Sequence, residues 1–159
     1  MKTILAPVDF SNISDAVVDE AATLARAVEG RVVLLAVIQP PVVMSEYAAM
    51  MDIAELTSAG EKHAARQLAR IQERLKGGSV AIESVRAVGS PIAHILEQAE
   101  KFKADYIVMG SHGHTAFYDL LVGSTTHGVL MRAKCPVVIV PAAKEKALVK
   151  RAKPRRAVA

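Results

Sequence analysis

The residues best placed to do chemistry in this chain are glycines and hydroxyls rather than acid–base pairs. Gly110-Ser111-His112-Gly113 is followed, after nine intervening residues, by Gly123-Ser124-Thr125-Thr126. Glycine lets main-chain N–H groups approach an anion with no Cβ in the way, and a helix start adds about half a positive charge. Ser124, Thr125 and Thr126 supply hydroxyl donors on the same turn, so the two segments read as a phosphate cradle that needs no lysine. Glycines after a strand equally make a turn, and on the residues alone both readings stay open. No Gly-x4-Gly-Lys-Ser/Thr run occurs, and no Gly-x-Gly-x2-Gly follows the first strand. A P-loop ATPase and a dinucleotide oxidoreductase of the usual kinds are therefore not supported. Asp9, just past the first apolar run, can accept from a ribose hydroxyl or reach Mg²⁺ at a strand end, or can cap the helix that follows.

Other reactive side chains carry less. His112 and His114 flank Gly113 at a spacing that can ligate metal, but no third Cys, His or acid stands at a plausible spacing, which favours loop imidazoles beside a phosphate. His63 and His94 fall on predicted helices as surface or boundary residues, and His127 at a helix start can face either a phosphate or solvent. Cys135 precedes a proline at a strand entry with no base beside it, the setting of an inert buried thiol. Met44, Met50 and Met51 suit ordinary packing more often than a lid or a partner surface.

The elements that must position these residues follow from periodicity. Thr3 to Val8 and Val32 to Ile38 are apolar runs that suit buried strands. Between them Ser14 is a candidate N-cap, Ala16, Val17, Leu24, Ala25 and Val28 keep to one helical face, and Gly30 is read as the stop. Pro40 and Pro41 end the second strand, and the passage that follows fits no element. A helix is predicted over Ser58 to Lys76 through Ala64, Leu68, Ile71 and Leu75, closed by Gly77-Gly78. Val80, Ile82 and Val85 predict a strand, and Ser90-Pro91 opens a helix carrying Ile92, Ile95, Leu96, Ala99 and Phe102. Asp105 to Met109, a helix over Ser124 to Arg132, and Val137 to Val140 complete the series. Five strands alternating with four helices imply right-handed crossovers and an open α/β fold, whose ligands bind at the C-terminal strand ends where strand order reverses.

The spacing Gly110-x2-Gly113-x9-Gly123-Ser124 resembles the nucleotide-binding signature of the universal stress protein family. Ile4-Leu5-Ala6-Pro7-Val8-Asp9-Phe10-Ser11, Val37-Ile38, Ala104 through Gly113, and Cys135-Pro136-Val137-Val138-Ile139-Val140-Pro141 look like that family too, in its order. The resemblance covers about residues 1–143, apart from the passage around 40–57. It implies a five-stranded parallel sheet in the order 3-2-1-4-5, Rossmann-like, with helices on both faces and usually a homodimer. Members with this signature bind ATP, often with Mg or Mn. Carried onto this chain, Asp9 would lie near the ribose and the nucleotide-bound metal, with Pro7 and Val37 lining the adenine slot. Met109 and Gly110 would border the sugar, with Gly113, Gly123, Ser124 and Thr125 at the phosphates, where the residue reading also puts His112 and Thr126.

Composition sets the outer limits. The chain has 159 residues, 17.0 kDa, 52% of them hydrophobic, which suits one domain with a core. The net charge of +4 is uneven: residues 144–159 hold seven Lys and Arg against Glu145, a net +6, so residues 1–143 are net −2. The expected division is a domain over 1–143 and a basic, disordered tail over 144–159. No uncharged run is long enough to span a membrane, an acid at position 9 comes too early for a signal peptide, and the single Cys135 can form no internal disulfide. The expected location is the cytoplasm. In the implied order Val137 to Val140 lies at a sheet edge, a hazard that a two-fold partner or the chain's own tail would cover. The expected function is nucleotide-dependent regulation of conformation or partner binding in a stress response, with at most weak ATP hydrolysis. The alternatives are a slow ATPase and a tail that holds nucleic acid or an anionic surface electrostatically.

Overall fold

Side chains alternate across a strand, so every interior strand of this chain feeds two apolar layers. The computed structural model describes residues 1–41, 52–111 and 122–142. Along them run β1 (Thr3–Pro7), α1 (Ser14–Ala27), β2 (Arg31–Ile38), α2 (Ile53–Leu75), β3 (Ala81–Val88), α3 (Pro91–Lys101), β4 (Tyr106–Gly110), α4 (Ser124–Leu130) and β5 (Val137–Val140). All four strand pairs are parallel, in the order β3-β2-β1-β4-β5, as the resemblance implied. Met44, Met50, Met51, His112, Gly113, His114 and the tail 144–159 lie outside the described residues.

The alternation assigns the helices to faces. Ile4, Ala6, Val32, Leu34 and Ala36 pack with Val17, Val18 and Ala21 of α1 and Ala64 and Leu68 of α2. Leu5, Val33, Leu35, Ile107 and Met109 point the other way, against Ile95 of α3 and Val129 of α4. Leu5, Leu34, Leu35 and Ile107 have no exposed surface, and each such side chain contributes about 1.5–3 kcal/mol through burial. Continuous apolar runs in β1 and β2 are thus the signature of a sheet covered on both sides, whereas β3 at the edge mixes exposed and half-buried residues.

Helix ends depart from the sequence reading for local reasons. The residue before α1 is Ile13, and Ser14 is the first helical residue. Glu29 rather than Gly30 takes the left-handed conformation after α1, at φ 50°. There the Gly30 N–H donates to the Ala25 carbonyl at 2.7 Å and that of Glu29 to Arg26 at 3.5 Å, the paired bonds of a Schellman ending. Gly30 is required for closeness instead: a Cβ there would sit 2.7 Å from the Lys2 carbonyl oxygen. Lys103 repeats this ending after α3 at φ 50°, leaving Phe102 as the cap rather than a helical residue. Helix α2 begins five residues before Ser58 because Asp52 accepts from the Glu55 N–H at 3.0 Å, an N-cap written in the sequence as Asp-x2-Glu. Helix α4 ends at Leu130, with seven residues.

Candidate functional site

The strand order reverses between β1 and β4, which leave the sheet toward helices on opposite faces. At their C-terminal ends lies a cleft of ≈ 220 Å³. Nine of the eleven residues named from the sequence line it: Pro7, Asp9, Val37, Met109, Gly110, Gly123, Ser124, Thr125 and Thr126. The remaining two, His112 and Gly113, lie outside the described residues.

Asp9 organises the turn from β1 into α1. Its Oδ1 accepts from the Ser11 N–H at 3.0 Å, the Ser11 hydroxyl at 2.6 Å and the Ser14 hydroxyl at 3.1 Å. The first of these closes an Asx-turn ahead of α1, whose first turn carries no side-chain cap among the described residues, and Asp9 also stands in the cleft wall. Phe10 next to it adopts φ 61°, a left-handed conformation that the crowded turn sustains. Its ring meets His63 edge-on at 5.9 Å between centroids.

On the other side of the switch point, two hydrogen bonds join the halves of the glycine signature. The Gly123 N–H donates to the Ser111 carbonyl at 2.6 Å, and the Thr126 hydroxyl donates to the Gly110 carbonyl at 2.8 Å. Thr126 is buried, and its hydroxyl donates to the Gly110 carbonyl while the residue lines the cleft. Ser124 is exposed and Thr125 half-buried, and among the described residues no side chain caps the start of α4. The first N–H groups of that helix therefore have no intrahelical acceptor and, among the described residues, no side-chain cap. With only seven residues, α4 contributes a weaker dipole than the sequence reading assumed, so its N–H and hydroxyl donors are the stronger feature.

Sequence reasoning missed Ser111 and Gln39. Ser111 is buried, donates its N–H to the Val140 carbonyl at 2.8 Å and accepts from the Ala142 N–H at 3.1 Å through its hydroxyl. A small polar residue between a strand end and a glycine is the signal that points to it. Gln39, one step past β2, lines the cleft with Leu35, Pro91 and Ile95. Among the described lining residues Asp9 is the only charged one. No group of three His, Cys, Asp or Glu side chains gathers for a metal among the described residues, so Asp9 could act on a cation only as one ligand among others from elsewhere.

The other singled-out residues stand apart. His127 is exposed and outside the cleft wall. His94 bridges the Val88 carbonyl and the Glu97 carboxylate, each at 3.0 Å, and so shapes the turn from β3 into α3. Burial, then the charge of Asp105, pushes the Cys135 thiol above its ordinary pKa, the opposite of an activated nucleophile.

Comparison with known proteins agrees with this geometry. A universal stress protein of Methanocaldococcus jannaschii, MJ0531, is 31% identical over 141 residues, 87% of this chain and 81% of the relative. The solved universal stress protein UspA from Lactobacillus plantarum superposes with a TM-score of 0.78 at 26% identity, covering 87% of this chain and 97% of that one. A universal stress protein solved in complex with cAMP gives a TM-score of 0.66 at 28% identity, covering 87% and 96%. No helix among the described residues is long and apolar enough to cross a membrane. The model of the universal stress protein family matches residues 1–141, and with that extent of match this chain belongs to the family.

Proposed function

We propose that this chain is an ATP-binding regulatory protein of the stress response, in which occupancy of the cleft changes conformation or partner binding. The observation that carries the reading is the convergence of nine sequence-named residues on one cleft at the β1/β4 switch point. That a similar protein was solved with cAMP supports an adenine nucleotide as the ligand. Pro7 and Val37 would flank the base, Met109 and Gly110 the sugar, and Gly123, Ser124 and Thr125 the phosphates, with Gly113 and His112 completing the loop. Thr126 would hold the phosphate end together through Gly110. Asp9 would face the ribose and a Mg or Mn ion carried by the nucleotide.

Binding without fast turnover fits the residues. Phosphoryl transfer needs compensation of developing charge, and no Lys or Arg occurs between Gly110 and Met131. Calorimetric titration with ATP and Mg²⁺ tests the reading, with Thr125→Glu in parallel. A carboxylate in the first turn suits helix α4 yet repels a triphosphate. Micromolar binding, weakened at least about tenfold in the variant, is expected. Absence of heat from the wild type at millimolar ATP would defeat the proposal.

The same family membership supports a homodimer through β5. Val137–Val140 pair with β4 on one side, and all four are only half-buried. A two-fold partner pairing the same strand would cover this apolar edge. Sedimentation at micromolar concentration should give twice the 17.0 kDa chain mass; a value of one chain would reject the dimer.

A further inference from the structure

The cleft is poor in positive charge. Asp9 is the one charged side chain among its described lining residues, and residues 1–143 are net −2. Residues 42–51 and 112–121 hold no Lys or Arg. Outside the described residues, the Lys and Arg of this chain therefore all fall in 144–156, where seven stand against Glu145. The topology sets where that stretch departs. Strands of a parallel sheet all end on one side, so β5 delivers the chain to the end of the sheet that holds the cleft. Ser111 fixes the exit: its N–H donates to the Val140 carbonyl at 2.8 Å, and its hydroxyl accepts from the Ala142 N–H at 3.1 Å. The Ser111 carbonyl in turn accepts from the N–H of Gly123, in the cleft wall, at 2.6 Å. Lys144 follows Ala142 by two residues and Lys146 by four, so the backbone holds their Cα atoms within about 7 and 14 Å of it.

We infer that Lys144 and Lys146 supply cationic contacts to the polyphosphate of a nucleotide bound in the cleft. This inference rests on the nucleotide reading above, and the chemical class it selects is nucleoside di- and triphosphates over nucleotides with one phosphate charge. Both lysines lie beyond residues 1–141, which the family model matches, so the contact is a feature of this chain rather than of the shared domain. An ammonium on a flexible four-carbon stem acts as a point charge without a fixed direction. It holds the bound triphosphate as well as any transition state, so it adds affinity rather than turnover.

Calorimetric titration of the full chain with ATP and Mg²⁺, and with cAMP, whose one charge lies at the sugar, tests this. The proteins are the wild type, Lys144→Gln combined with Lys146→Gln, and Lys153→Gln combined with Arg155→Gln and Arg156→Gln. Neutralising the two near lysines should weaken ATP about three- to tenfold and move cAMP by less than about twofold. Neutralising the three distant cations should leave both ligands within about twofold of the wild type. Unchanged ATP affinity in the near variant, or an equal loss for ATP and cAMP, overturns the contact and leaves the cleft as a nucleotide site. An equal loss of ATP affinity in the near and distant variants overturns the assignment to Lys144 and Lys146. Binding of neither ligand to the wild type overturns the nucleotide reading and this inference with it.

Discussion

Replacing Thr126 by Val removes one hydroxyl from the site and almost nothing else. The two side chains share β-branching and shape, so packing at this buried position and local helix propensity barely change. What disappears is the 2.8 Å bond from the Thr126 hydroxyl to the Gly110 carbonyl, which ties the first turn of α4 to the end of β4. A typical hydrogen bond contributes about 0.5–1.5 kcal/mol, and stranding a buried acceptor costs about 1–3 kcal/mol. Gly110 is only half-buried, so water reaches that end and the loss should fall near 1 kcal/mol. In a chain of this size that lowers Tm by about 2–4 °C. A second consequence is specific to the site: with α4 loosened from β4, the donors of Ser124 and Thr125 lose their fixed position relative to the sugar end of the cleft. ATP affinity should fall about three- to tenfold in Thr126→Val. Thr126→Ser should keep the affinity, because it keeps the hydroxyl, although it loses a methyl group and some stability. Thermal melts and calorimetry on the three proteins make the comparison. Equal ATP affinity for wild type and Thr126→Val, with melts within a degree, would show that the bond does not hold the halves together.

Adjacent residues after α1 should respond in opposite directions. Gly30→Ala drives a Cβ to 2.7 Å from the Lys2 carbonyl oxygen and should cost about 1–3 kcal/mol in urea melts. Glu29→Gly relieves the left-handed strain at φ 50° and should raise stability by up to about 1 kcal/mol; stabilisation by the alanine would refute the close approach. Asp105 accepts from the Lys2 ammonium at 2.7 Å and from the Thr3 N–H at 2.9 Å, which lower its pKa below 3.8. A lowered folded pKa means that the contribution is present above the unfolded value and lost as pH falls through the folded one. Tm curves of wild type and Asp105→Asn should therefore be separated near neutrality and converge below about pH 4, and a constant gap down to pH 2 would contradict the assignment.

Legibility in the sequence followed the strength of the physical signal. The strands β1 and β2 were readable to within a residue because burial on both faces demands unbroken apolar runs, as in Val32 to Ile38. Helix ends were less readable, since a Schellman ending can place Glu29 or Lys103 where glycine is the usual choice. The start of α2 was missed although Asp52-x2-Glu55 announces it, because the exposed Ile53 and Leu56 do not continue the apolar stripe of Ala64, Leu68 and Ile71. In the site, residue identities came from a spacing, and that spacing carries no information on which donors are already engaged. Thr126 therefore read as a third hydroxyl beside the phosphates, and Ser111 was given no role. Gln39 went unnoticed because its place in the cleft depends on an alternation carried past the end of β2 by Pro40.

The position of Ser111 also bears on how occupancy could be felt elsewhere. Its carbonyl holds Gly123, at the phosphate end of the cleft, while its N–H holds Val140 and its hydroxyl holds Ala142, at the end of the edge strand. One buried residue thus spans the distance between the proposed ligand site and the proposed dimer edge. A ligand that draws on the donors beside Gly123 acts on a bond of 2.6 Å whose acceptor belongs to the same residue that positions β5. Coupling of this kind is reciprocal: whatever dimerisation gains from nucleotide, nucleotide must gain from dimerisation. The proposed regulatory role therefore needs no hydrolysis and no distant relay, only a ligand whose affinity differs between the two settings of one strand end.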